Sequence, residues 1–404
     1  MLLLENTIQN YAWGSRTSLA KLLGRPPAAH PEAELWIGAH PQAPSKLSDG
    51  RSLLEAIRVD PEAMLGSPVQ QKFAGQLPFL LKVLAVDAPL SLQAHPNREQ
   101  AALGFAREEQ AGVPLSAPER TYKDPNHKPE LLCALTPFEA LTGFRPASEA
   151  AAIFDMLGVT ATDIGAELRA GPDPLRPAFS KLLTLPPDLR AKVTSDVLGR
   201  CEQASSSAGP FAASLRWATE LGRRYPGDVG AVASLLLNHV SLEPLQAIYL
   251  EAGRLHAYLR GTGVEIMASS DNVLRGGLTP KHVNVPELLS VLRFDSPDVS
   301  PVPTRVGPQG DTLYETPTPE FRLSRIDLGS GGKPFAAVVT GPEILLCVDG
   351  QVLVELSGAP AFRQPPPHAR SLRRGQACFL PASSGAYHLS GTGRIFRATA
   401  GAAA

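Results

Sequence analysis

The sequence predicts a mainly β protein interrupted by one helical insertion, and three observations predict it. Apolar runs of strand length occupy both ends of the chain, helical spacing is confined to residues 146–236, and turn formers are dense, with 39 prolines and 35 glycines among 404 residues. A chain of this length with 43% hydrophobic content can bury cores for two or three domains.

Residues 1–145 read as strands broken by short helices. Leu77–Val86 has the length and apolar content of a buried strand, and Leu90–Pro96 alternates behind it. Asn97 is placed to cap a helix running through Ala101 to Glu109. In residues 146–236 the period changes: Ser148 precedes Ile153, Met156 and Leu157, and Leu189, Val193 and Val197 recur at helical spacing. Phe211, Leu215, Ala218 and Leu221 form another stripe, with Pro186-Pro187 and Ser205–Gly209 as separators. Met156 and Trp217 are expected in the core of this insertion, which carries no evident chemistry.

Strand sequence resumes near Gln246 and continues through Glu251–Pro286 to a short helix at Pro286–Leu292. Asp295–Pro319, rich in proline and polar residues, reads as a linker or crossing segment. Beyond it, Ile344–Val348 and Gln351–Val354 flank Asp349-Gly350 as a hairpin with a type I′ turn, and Ala377–Leu380 is a further strand.

Composition narrows the function classes. The formal charge is −1, from 38 basic and 39 acidic side chains, so no electrostatic footprint for nucleic acid exists and an anionic substrate must meet a few local cations. The start, Met1–Glu5, lacks the basic and apolar regions of a signal peptide, and no apolar run has the roughly 20 residues needed to span a bilayer. Cys133, Cys201, Cys347 and Cys378 are scattered without the CxxC spacing of a thiolate zinc site. A soluble cytoplasmic protein is expected.

Three blocks carry chemistry. In Gln93-Ala94-His95 the side chains at i and i+2 share one strand face, so Gln93 and His95 point at one spot. In Asn126-His127-Lys128-Pro129-Glu130 the proline biases Lys128 toward extended geometry, so Lys128 and Glu130 project on one side with His127 turned away. The densest block runs from Glu251 to Lys281, where His256, Tyr258, Glu265, Arg275 and Lys281 recur among small and apolar residues. Isolated, each block also reads as structural: a satisfied histidine, a solvated loop, a salt-bridged sheet surface.

Taken in order, Tyr11–Ser15, Ala33–Pro41, Pro89–Pro96, Asn126–Glu130, Ser270–Val273 and Gly277–Lys281 closely resemble type I phosphomannose isomerases. The resemblance covers roughly residues 1–145 and 245–290 and fades elsewhere. It implies two cupin-like jelly-roll β-barrels plus an α-helical domain: a discontinuous catalytic domain over 1–145 and 237–300, the insertion over 146–236, and a second barrel over 301–404. It also implies one zinc per chain bound by Gln93, His95, Glu130 and His256, an N/O donor set of catalytic rather than structural type. Arg275 is implied as catalytic, with Lys128, Glu265 and Lys281 in the same pocket. Three positions depart from the family pattern: Leu255 replaces a proline, Thr262 an aspartate and Asn284 an aspartate.

The reaction so implied moves a proton between C1 and C2 of a sugar phosphate through an enediolate. Glu265 is the expected base, with Lys128 or a metal-bound water able to share the task. Lys281 and Arg275, helped by Ser91, would meet the phosphate. Tyr258 is placed among the substrate-binding residues, and Trp13 and Trp36 would either wall the pocket or pack in the core. A free sugar phosphate is the expected partner of a monomer, with neither nucleic acid nor membrane. The rival readings are a cupin-type metal-dependent dioxygenase and a non-catalytic sugar-phosphate sensor. In the C-terminal region, His368 and His388 offer no ligand pair.

Overall fold

The computed structural model describes residues 1–158, 163–205, 209–329, 331, 333–357 and 369–401; His368 and part of the Ser205–Gly209 separator lie outside them. The described chain is mainly β and builds two sheets in which every strand pairing is antiparallel. A ten-stranded sheet gathers the first part of the chain with strands up to Leu274–Gly277, and a nine-stranded sheet gathers the last part. Between the strands Phe138–Phe144 and Leu237–Leu242 run the helices Ala147–Met156, Leu175–Leu183, Pro187–Ala204 and Ala212–Arg224, with shorter turns between them. No described helix is long and apolar enough to cross a membrane.

The long strand His256–Ala268 organises the first sheet. Its first half pairs with Leu92–Ala94 and Phe138–Phe144, its second half with Phe79–Val86 and Glu130–Ala134. Phe79–Val86 is buried along its whole length because both faces are covered. Phe79, Leu81, Val83 and Ala85 join a core shared with Leu323, Ile344 and Phe379 of the second sheet. Leu84 and Val86, on the opposite face, pack with Phe138, Leu132 and Tyr258 inside the first sheet. The helices cover another face, where Leu92, Ala94, Leu255 and Ala257 meet Phe179, Val193 and Leu221.

Several expectations need correction. Leu2–Leu4, assigned with residues 1–145 to the first β unit, pairs instead with Ala377–Leu380 of the second sheet. The segment read as a linker or crossing segment, Asp295–Pro319, contains the strands Thr304–Val306 and Thr312–Tyr314 of that sheet. Asp349-Gly350 is no hairpin turn: Glu343–Ser357 is one strand that pairs with Ala386–Thr399 on both sides of the dipeptide, with a register shift between Cys347 and Asp349. A type I′ turn and a G1-type bulge both use a left-handed residue, and Gly350 supplies one with φ +69°; a Cβ there would lie 2.1 Å from the Thr392 carbonyl oxygen. Met156, expected in the core, is 50% exposed at the end of its helix, whereas Ile153 on the preceding turn is fully buried. Trp217 is half-buried against the helical core as expected.

Candidate metal and substrate site

Strand register places the site residues before any side chain is considered. Gln93 is the cross-strand neighbour of both His256 and Arg275, so the three share one face across adjacent strands. Glu130 lies opposite Met267, and Glu265 lies between Lys82 on one neighbouring strand and Leu132 on the other. Trp36 in turn lies opposite Lys82. With a period of two, these residues converge on the interior of the first sheet.

At the centre, His95, Glu130 and His256 bring one ligand atom each to within 4.8 Å of one another, all buried. His95 Nε2 lies 3.3 Å from Glu130 Oε1, and His256 Nε2 lies 3.5 Å from Glu130 Oε2. Neither imidazole Nε2 nor Glu130 Oε2 has a hydrogen-bond partner, although each is buried. Orphaned buried polar atoms are costly, and three that face one another are what a bound cation would satisfy. The other ring nitrogens are held from behind: His95 Nδ1–H donates to the Asn272 carbonyl at 2.6 Å, and His256 Nδ1–H to the Arg254 carbonyl at 2.9 Å. That tautomer leaves both Nε2 lone pairs free for a metal.

Asn272, fully buried, is the brace of this arrangement. Its side-chain oxygen accepts from the Lys123 amide at 2.7 Å, and its amide donates to the carbonyls of Asp124 and Asn126, both at 2.8 Å. The loop leading into Glu130 is thereby tied to the backbone carbonyl that orients His95. As expected from Pro129, Lys128 and Glu130 project together, with Lys128 Nζ 3.0 Å from Glu130 Oε1, while His127 turns away to Glu320.

Electrostatics divides the buried charges into roles. Burial, then the Lys128 ammonium, lowers His95 to about 4, so it is a neutral donor at neutral pH. Burial alone would raise Glu130, but Lys128 and then His95 hold it well below the usual carboxylate range. Glu265 goes the other way: burial and the Glu130 charge push it up to about 7 against the opposing charges of Lys82 and Lys128. It accepts a hydrogen bond from the Tyr258 hydroxyl at 3.0 Å and lies 3.6 Å from Lys82 Nζ. Lys82 also pairs with Glu34 at 3.2 Å and stands 4.9 Å above the Trp36 ring. Burial would lower Lys82, but Glu34 and Glu265 outweigh it and hold its pKa above the ordinary value.

The remaining expected residues have the following settings. Arg275 lines a small cleft with Glu119, Arg120, Thr121, His282 and Asn284. Burial lowers its pKa, and its charge in turn lowers that of exposed Lys281, which places the two cations near one another. Ser91 is half-buried just ahead of the strand Leu92–Ala94. Trp13 stacks on Tyr11 at 5.8 Å and is only partly buried beside the apolar interior of the first sheet. Glu34 and Lys82 are two buried charges that the sequence reading does not assign to the site. A lysine in the middle of an eight-residue apolar strand was the available signal.

The three departures have local explanations. Leu255 is fully buried in the core shared with the helices, and Thr262 is paired with Ala85. Asn284 caps the helix Val285–Val291 by accepting from the Glu287 amide at 3.2 Å, a task asparagine and aspartate perform equally.

Comparison with known proteins bears on all of this. A family model described as the catalytic domain of type I phosphomannose isomerase matches residues 1–147. Mannose-6-phosphate isomerase of Escherichia coli strain K12 is 37% identical over 402 residues, 98% of each chain, and the Homo sapiens enzyme 34% identical over 412 residues, 94% of this chain and 93% of that one. A crystal structure of the Salmonella typhimurium isomerase bound to substrate and zinc superposes with a TM-score of 0.88 at 36% identity over the full length of both chains. A structure of the isomerase bound with zinc and yttrium gives the same TM-score and identity.

Proposed function

The chain belongs to the type I phosphomannose isomerase family, and from that premise we propose that it is a zinc-dependent aldose–ketose isomerase interconverting mannose 6-phosphate and fructose 6-phosphate. The observation that carries this reading is the trio of orphaned, mutually facing atoms on His95, Glu130 and His256. Two imidazoles and a carboxylate, with no thiolate among them, suit a catalytic zinc, and Gln93 beside His256 is the proposed fourth ligand. Bound there, zinc supplies Lewis-acid stabilisation of the negative charge that develops on the sugar.

Glu265 is the proposed base, taking a proton at one of C1 and C2 and returning it at the other. A carboxyl raised to about 7 is matched to that task near neutral pH, and the Tyr258 hydroxyl and Lys82 fix its orientation. Lys128, held against Glu130, offers a second proton-bearing group on the same face. Arg275 and Lys281 present two neighbouring cations for enediolate charge and phosphate, with Ser91 as an added donor. Tyr258 and Trp13 complete the proposed substrate contacts.

The same reading describes both sheets as cupin-like jelly rolls, with the run of helices inserted into the first. It makes the enzyme a cytoplasmic monomer acting on a free sugar phosphate. Four buried, unpaired thiols fit a reducing compartment. The test is metal analysis of the purified chain coupled to detection of fructose 6-phosphate before and after chelation. One zinc per chain, activity lost on its removal and restored on its return, is the expected result; full activity without metal would end the proposal.

A further inference from the structure

We propose that Glu320 is a positioning residue for the metal site, through which the second sheet sets the geometry of the two segments that carry His95 and Glu130. The inference rests on the ligand assignment above. Glu320 is 4% exposed and precedes the strand Arg322–Leu328, far along the chain from either ligand. Its Oε1 accepts from the Arg98 guanidinium at 2.5 Å and from His127 Nε2–H at 2.9 Å, and its Oε2 accepts from the Thr318 hydroxyl.

The donors identify what is being held. Arg98 follows His95 by three residues and begins the helix Arg98–Gln110. His127 is the immediate neighbour of Lys128, whose ammonium sits on Glu130. One carboxylate therefore grips both metal-bearing segments. It has no freedom to follow them, because its neighbour Phe321 is embedded in the core shared by the two sheets. Burial would raise the Glu320 pKa, but the bonds from His127 and Thr318 hold it down at about 2, so the anchor stays charged across the working pH range. Outer groups of this kind typically change metal affinity by about 10 to 100-fold when removed.

The experiment compares zinc dissociation constants, by competition with a chelator, together with kcat and KM on the full-length chain. Glu320→Ala is expected to weaken zinc by about tenfold or more and to lower kcat at saturating zinc with KM little changed. Glu320→Asp, which restores a carboxylate, is expected to recover most of the affinity. Should Glu320→Ala fail to fold, Glu320→Gln serves in its place, with an expected weakening of about fivefold or more. Leu346→Ala, a cavity in the same shared core, controls for general loosening and should leave zinc affinity within about threefold. Wild-type-like affinity in Glu320→Ala or Glu320→Gln, or equal weakening in Leu346→Ala, overturns the proposal. A wild-type chain that binds no zinc sinks the metal-site reading and this inference with it.

Discussion

Lys82 and Glu265 face each other across adjacent antiparallel strands, with the ammonium 3.6 Å from the carboxylate and both side chains buried. In a low-dielectric interior such a charge strongly affects its partner's titration. Lys82 is one of the two cations that keep Glu265 from rising further than about 7.

Lys82→Met therefore has a defined sign. Removing a positive charge beside a carboxyl disfavours its ionised form, so the Glu265 pKa rises. If ionised Glu265 is the base, the acid limb of the kcat/KM profile moves to higher pH. At pH 7 turnover falls by about tenfold or more, and part of the loss is regained toward pH 9. A pH–rate profile of the variant measures this. An unshifted acid limb would remove Glu265 from the role of base.

Much of this was legible in the sequence because it is local. Asn97 caps its helix with the full capping box, and Pro129 sets the side on which Lys128 and Glu130 project. What was not legible depends on register or distant contact. Glu34 becomes a site residue only when its strand aligns with Phe79–Val86, and Glu320 meets His127 only because the two sheets share a core. Asp349-Gly350 satisfies a turn and a bulge equally well; what decides is that Ala386–Thr399 is long enough to pair on both sides of it. Leu2–Leu4 carries no local mark of which sheet it will join, since three apolar residues suit either edge.

Asn272 is predicted to govern metal affinity without touching the metal. Asn272→Ala keeps the carbonyl that orients His95 but frees Lys123, Asp124 and Asn126 from their fully buried partner. The loop entering Glu130 loosens, and zinc affinity should drop by about 10 to 100-fold. Titration against a chelator reads this directly; unchanged affinity would show that the Asn272 side chain does not set the metal site.

Arg275 separates chemistry from metal binding. It shares a face with Gln93 but lines the outer cleft with His282 and Asn284, and no ion pair holds it among the described residues. Arg275→Ala should therefore retain one zinc per chain while lowering kcat by about 100-fold or more, as the loss of a positioned charge stabiliser does. Zinc stoichiometry and steady-state rates are measured on the same preparation. Loss of the metal would make Arg275 structural instead.

Gly277 shows why Arg275 can occupy that place. Its φ of +129° belongs to a backbone region that side chains rarely adopt, and it lies against Gly230 at the end of the helical run. A Cβ here would come within 2.9 Å of the Gly230 Cα and 3.1 Å of Asp228 Oδ1. Asp228 cannot yield cheaply, because its carboxylate already accepts from the amides of Gly230 at 2.7 Å and Thr279 at 3.1 Å. Gly277→Ala must therefore push the strand Leu274–Gly277 away from the helices, at a cost of roughly 1–3 kcal/mol from overpacking, with backbone strain in addition. Arg275, two residues earlier on that strand, moves with it. A lowered melting temperature together with reduced kcat and retained zinc is the expected signature; a stable variant with normal turnover would mean that the close approach to Gly230 does not position Arg275.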